Sequence, residues 1–172
     1  MKKKVLYLAG GCFWGLEKAL SYLDGIISTK VGYANGKTLA PNYEMVCSDM
    51  TGFKEAVEVI YDADILPLGR LLKAYFLCID PTVKNRQGND VGSQYQTGIY
   101  YLQKEDKEVL EEIFNKKRKE YKKFYVELEP LVNFYDAEEY HQKYLDKNQD
   151  GYCHISIEEF EKIKKLNEEV FI

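Results

Sequence analysis

The chain has 172 residues, 45% apolar and 30% charged, with 24 basic against 28 acidic side chains and a net charge of −4. This length can bury one core without disulfide staples, and the composition excludes a disordered chain. The charge balance excludes the basic footprint of a nucleic-acid surface, and no apolar stretch approaches a membrane span.

Lys2–Lys4 followed by Val5–Ala9 imitates the start of a secretion signal. The apolar run is shorter than the roughly 7–15 residues such a signal needs. A lipoprotein processing site ending at Cys12 would want a larger aliphatic where Ala9 stands. The expectation is a first strand at Val5–Leu8 and a cytoplasmic protein. Phe13, Leu16, Leu20 and Leu23 recur at helical spacing and predict a helix that runs from the GGCFWG stretch, Gly10–Gly15, to Asp24–Gly25. Ile26–Tyr33 predicts a second strand, closed by the Asn35–Gly36 turn signal. After the polar loop Lys37–Gly52, the run Lys54–Tyr61 alternates. Glu55, Val57, Val59 and Tyr61 face one way; Lys54, Ala56, Glu58 and Ile60 face the other.

Leu68, Leu71, Leu72, Tyr75 and Phe76 predict a second helix ending before Pro81, and Asp80–Gln96 a second polar loop before the strand Thr97–Leu102. A helix with Leu110, Ile113, Phe114 and Tyr121 on its buried stripe follows. Phe124–Leu131 is an added strand, with Pro130 near its end where an edge tolerates it. From Asn133 the chain is aromatic and charged without long periodicity, until Ser156 and Glu159 form a capping box that starts a last helix. The order strand, helix, strand, strand, helix, strand predicts an α/β two-layer sandwich. Its core is a ferredoxin-like split βαββαβ unit with an added helix and strand and a C-terminal extension. One domain over residues 1–172 is expected, its C-terminal segment being 133–172, with functional loops near 33–53 and 80–96.

Four cysteines, Cys12, Cys47, Cys78 and Cys153, are widely spread without a C-x-x-C, and the two histidines are His141 and His154. Zinc and thioredoxin-type motifs are therefore missing; free thiols, no metal and no cofactor are expected. Fifteen tyrosines exceed what a core needs and point to hydroxyls in a cleft or on the surface. Cys12 falls where a strand turns into a helix, so backbone N–H groups and the helix dipole favour its thiolate, the nucleophilic form. A buried core cysteine among aromatics is the alternative. Glu55 shares an apolar strand face, where desolvation raises a carboxyl's pKa and suits it to act as a general acid; a glutamate curling out to solvent is the alternative. Tyr43, Asp90 and Tyr95 lie in the two loops, either as turn residues or as oxyanion-type donors. Asp146, Asn148, Asp150 and Gly151 match the first, third, fifth and sixth positions of a calcium loop. Ile157 stands where the bidentate glutamate belongs, and Glu158 and Glu159 arrive late. From the residues alone three readings stand open: a peroxide-reducing thiol protein, a cysteine hydrolase, and a calcium-binding or interaction module.

Several blocks, taken together and in order, resemble the peptide methionine sulfoxide reductase A family. They are GCFWG at 11–15, GYANG at 32–36, NYEMVCSDMTG at 42–52, EAV at 55–57, GNDVGSQY at 88–95 and FYDAEEYHQKYLDKNQDGYC at 134–153. The resemblance implies that Cys12 attacks the sulfur of a methionine S-sulfoxide, free or in a protein, while Glu55 protonates its oxygen. Tyr43 and Tyr95 would hydrogen-bond that oxygen, Phe13 and Trp14 would hold the ε-methyl group, and Asp90 would organise the polar side. Cys12 would become a sulfenic acid, Cys153 would resolve it from a mobile tail, and thioredoxin would reduce the resulting disulfide of a monomeric enzyme. No recycling cysteine follows Cys153; Cys47 would have no assigned role, and Cys78 would be core. Phe53 stands where the family usually carries histidine, which puts substrate access and the setting of Glu55 in question.

Overall fold

The computed structural model describes residues 1–169. It is a mixed α/β structure with a central sheet and six α-helices. Strand β1 (Lys3–Ala9) leads into helix α1 (Phe13–Leu20), then β2 (Ile26–Ala34), α2 (Tyr43–Cys47), β3 (Lys54–Asp62) and α3 (Leu68–Leu77). The two-stranded β4 (Arg86–Gln87) and β5 (Asp90–Val91) come next, then β6 (Gly98–Tyr101) and α4 (Lys104–Arg118). Strands β7 (Glu127–Pro130) and β8 (Phe134–Asp136) and helices α5 (Tyr144–Lys147) and α6 (Ile157–Leu166) complete the chain. The main sheet runs β7-β6-β1-β3-β2-β8. Every neighbouring pair is antiparallel except β6–β7, which is parallel. Among the described residues no helix is long and apolar enough to cross a membrane.

The alternation read in Lys54–Tyr61 is the pleat of β3: Glu55, Val57, Val59 and Tyr61 are buried, while Glu58 and Ile60 are only partly so. Against this face pack Leu16 and Leu20 of α1 and Leu71, Leu72 and Tyr75 of α3, all fully buried. Each such leucine contributes about 1.5–3 kcal/mol on burial. Ala56 is buried too, because the opposite face carries its own small cluster of Tyr7, Ala9, Ala34 and Tyr100, covered by Leu131 and Phe134.

Some tyrosines depart from the expected cleft or surface placement and fill the core. Tyr33, Tyr61, Tyr75 and Tyr100 are among the largest fully buried side chains, and the hydroxyls of three of them are paired inside. Tyr75 Oη donates to the Ala9 carbonyl (2.6 Å), Tyr100 to Glu127 (2.7 Å) and Tyr33 to Glu138 (2.8 Å). Tyr75 also accepts the Gly98 N–H at 3.1 Å. It therefore ties the end of β1 to the start of β6, just before the chain turns towards Cys12.

Two stretches read as plain loops hold structure. Residues 33–53 contain α2, capped by Asn42, whose Oδ1 accepts the Met45 N–H at 2.9 Å. Residues 80–96 contain the β4–β5 hairpin and a 3-10 turn at Ser93–Tyr95. The run after Asn133 adds β8 on the β2 edge, through three residue pairs that a sequence period cannot reveal. Phe53 is fully buried against Tyr135, with rings 5.8 Å apart at 82°. Its ring fills the space beside Gly36, where a Cβ would lie 2.1 Å away.

Candidate active site

The register of the sheet builds the site. Ala9, the last residue of β1, pairs with Ala56, so Glu55 stands beside the turn that follows β1. That turn needs Gly11, whose φ is +79° and whose Cβ would lie 2.7 Å from Gln87 Cβ. Cys12 then occupies the N-cap of α1, with its own side chain making no capping bond. The Phe13 N–H, free at the helix start, donates to Glu55 Oε1 at 3.2 Å, while Oε2 is buried without a partner.

Glu55 is 1% exposed. Burial pushes its carboxyl up to about 8; the Phe13 N–H opposes this and the Asp90 charge adds to it. It therefore holds a proton at neutral pH, with one oxygen free to use it. Cys12 is 8% exposed. Burial first, and the Glu55 charge second, push its thiol above the ordinary range, against the pull of the Trp14 N–H. The expectation of a lowered thiol is corrected. The helix N-terminus acts in the foreseen direction, but desolvation and a facing carboxylate outweigh it. Protonation of Glu55 removes the second of these.

The phenols of Tyr43 and Tyr95 both feel the Glu55 charge, after burial as the main cause of their raised pKa values; Tyr95 also feels Asp90 and Cys12. Tyr43 is further bonded to Cys47 four residues on, a thiol at the exposed end of α2. Loops 33–53 and 80–96 are joined at the rim, where the Ser93 N–H donates to Asp49 Oδ1 at 2.7 Å. One Asp90 oxygen is buried without a partner, and Tyr152 bonds to the Asp90 carboxylate.

Phe13 is fully buried between Tyr33 and His141, with centroids 5.9 and 5.1 Å away. Trp14 stacks flat on Tyr144 (3.7 Å, 9°) and donates Nε1–H to His141 Nδ1 at 3.0 Å. His141 also lies 4.6 Å from the Tyr43 ring and is 1% exposed. With Nδ1 accepting, Nε2 carries the proton of the neutral ring, and burial lowers the ring's pKa. Glu138 accepts from Tyr33 Oη and, at 3.1 Å, from the Tyr43 N–H. Glu138, His141, Tyr144 and Tyr152 are thus site residues that sequence reasoning passed over. The signals that could have found them were the density of aromatic and charged side chains between 134 and 153 and the resemblance of that block to the family.

Cys153 is half-buried and lies within electrostatic reach of Cys12. It lines an open cleft of about 440 Å³, together with Tyr22, Ile155, Ile157 and Phe160. The tail around it is anchored on both sides. Lys18 pairs with Asp146, the first position of the calcium-like run, and Ile155, Ile163 and Leu166 are buried on the α1–α3 side. Cys78 is buried in the core and donates to the Ala74 carbonyl at 3.3 Å.

A buried thiol beside a protonated carboxyl, two phenols near enough to feel that group when it ionises and a second thiol within reach define a site equipped for cysteine redox chemistry. The chain belongs to the peptide methionine sulfoxide reductase family, whose sequence model matches residues 4–170. It is 56% identical over 154 residues to a peptide methionine sulfoxide reductase MsrA of Clostridium acetobutylicum, covering 89% of this chain and 94% of that one. Its fold is similar to Mxr1 from Saccharomyces cerevisiae in reduced form, with TM-score 0.83 and 42% identity over 88% of this chain and 89% of that one. Mxr1 in complex with Trx2 matches at TM-score 0.60 and 32% identity, over 83% and 85% of the two chains.

Proposed function

We propose that this protein reduces methionine S-sulfoxide, free or in oxidised proteins, and so repairs oxidative damage. The observation that carries the reading is Glu55. It is a buried carboxyl protonated at neutral pH, held by the Phe13 N–H beside the Cys12 thiol, with one oxygen unpartnered. Cys12 attacks the sulfoxide sulfur and Glu55 delivers its proton to the oxygen. Tyr43 and Tyr95 stabilise the charge on that oxygen as it builds, and Asp90 organises the polar side. Phe13 and Trp14 hold the methyl group. The thiol proton of Cys12 restores Glu55, the protonated oxygen passes from the methionine sulfur to the Cys12 sulfur, and the S–S bond just formed breaks with its electron pair leaving on methionine, so that Cys12 is left as a sulfenic acid. Cys153 then condenses with it, releasing water and closing a disulfide, and thioredoxin reduces that disulfide. The yeast Mxr1 complex with Trx2 and the open cleft that Cys153 lines both support a protein reductant arriving there.

The same reading extends to the fold. The segment β6-β1-β3-β2 has antiparallel neighbours, with α1 crossing from β1 to β2 and α3 from β3 to β6. This supports a ferredoxin-like split βαββαβ core, carried in one domain with 133–172 as its C-terminal segment. Mixing the reduced protein anaerobically with excess methionine S-sulfoxide tests the function. One equivalent of methionine without reductant, and many with thioredoxin, its reductase and NADPH, are expected; no methionine in either arm would overturn the reading.

A further inference from the structure

Gly15 has no role in the chemistry above, yet its surroundings single it out. It sits inside α1, three residues after Cys12, where glycine is a poor helix former. A Cβ built on it would stand 2.9 Å from Cys153 Sγ, and at an ordinary 3.5 Å from His154 Nδ1 and from Ile155 Cδ1. The one contact too close is with a sulfur. Cys153 is held against this gap from the other side. Its Sγ donates to the Ile155 carbonyl at 3.4 Å, and Ile155, Ile163 and Leu166 are buried in the core that includes α1 and α3. Asn167, just past α6, closes on the far end of α1. Its Nδ2 donates to the Tyr22 carbonyl at 2.8 Å and its Oδ1 accepts the Asp24 N–H at 2.9 Å.

We infer that Gly15 is a positioning residue for disulfide closure: its missing Cβ makes the seat in which Cys153 Sγ rests within one helical turn of Cys12, and α6 keeps the sulfur there. The inference rests on the roles proposed above for Cys12 and Cys153. In the step concerned, the Cys153 sulfur attacks the Cys12 sulfenic sulfur. An S–S bond forms, the S–O bond breaks, and the hydroxide leaves with the thiol proton as water. The segment carrying Cys153 is tied to α1 through Lys18 and Asp146 and to the turn after α1 through Asn167.

The test compares full-length wild type, Gly15→Ala, Ile163→Ala and Gly69→Ala under single turnover, with a 1,3-diketone present to trap sulfenic acid. Gly69 is the matched control, a helical glycine with nothing within 4 Å of an added Cβ. Methionine formation and disulfide formation are followed separately. In Gly15→Ala disulfide formation should slow about 10–100-fold relative to methionine formation, the cost of misplacing one reacting atom by about 1 Å. Labelled Cys12 should rise in step. Ile163→Ala should shift the same ratio less, and Gly69→Ala not at all; Ile163→Ala carries the test if Gly15→Ala does not fold. A ratio in both Gly15→Ala and Ile163→Ala within twofold of wild type would overturn the inference alone. No methionine from wild type would overturn the reading of the site, and this inference with it.

Discussion

Cys12 stands at the start of α1 and Cys153 rests against Gly15 of the same helix, and the two halves of the site they represent are built differently. The Cys12 half is made by the sheet. Glu55 is fixed by the pleat of β3 and the pairing of Ala9 with Ala56, and Phe13 by a helix start that leaves its N–H free for a carboxylate. The Cys153 half is made by side chains reaching back from 134–167: Trp14 to His141, Lys18 to Asp146, Asp24 to Asn167. The first half is a consequence of secondary structure and holds its groups dry. The second is assembled by tertiary contacts and leaves its sulfur beside an open cleft. Such a division suits a reaction whose first step needs a desolvated acid and whose last step needs an outside thiol.

Cys12→Ser should abolish methionine formation altogether, read as methionine released per protein in one turnover; any retained turnover moves the chemistry to another thiol. Glu55→Gln keeps the shape and removes the acid, so methionine formation should slow by about 10²–10⁴-fold in rapid-quench assays. Its pH dependence sharpens the assignment. Because the Glu55 pKa is about 8, the acid-dependent rate of wild type should fall as pH rises through that value. Glu55→Gln should lose this limb.

The same shift has a stability consequence. A carboxyl raised in the folded state lends stability that is complete below its unfolded pKa and is lost as pH rises through the folded one. Glu55→Gln should therefore gain thermal stability relative to wild type between pH 5 and pH 8, with the advantage levelling off above, as melting curves across that range would show. Tyr43→Phe and Tyr95→Phe each remove one donor and should cost about 10–100-fold in methionine formation, since one hydrogen bond to a charged group contributes about 1.5–3 kcal/mol. The smallest effect belongs to the tail. Ser156→Ala removes half of a capping box in which Ser156 Oγ accepts the Glu159 N–H at 3.2 Å, and should lower stability by about 1 kcal/mol in denaturant titration while leaving methionine formation unchanged.

What the sequence made legible follows the same division. The alternation of Lys54–Tyr61 placed Glu55 on the buried face, and the strand-to-helix switch around GGCFWG placed Cys12 at a helix start, both because local periods determine local geometry. The serine cap of α6 was legible for the same reason. The direction of the Cys12 shift was not, because it depends first on burial by the assembled fold and then on Glu55, forty-three positions away. His141 was not, because its place depends on Trp14, more than a hundred positions earlier. Strand β8 was missed because three residues on a sheet edge carry no period. Tyr75, read only as part of a helical stripe, proved to tie two strands through its hydroxyl, since a hydroxyl's partner is invisible in a pattern of apolar spacing.

The most direct test of the central claim is an anaerobic single turnover with the separate S and R epimers of methionine sulfoxide, without reductant, followed by thiol counting. The account predicts that the S epimer alone yields methionine and removes two of the four thiols of wild type; in Cys153→Ser methionine still forms, and the disulfide that wild type closes does not. Thiol loss with both epimers alike, or with peroxide only, would contradict it and leave a general thiol oxidoreductase in its place.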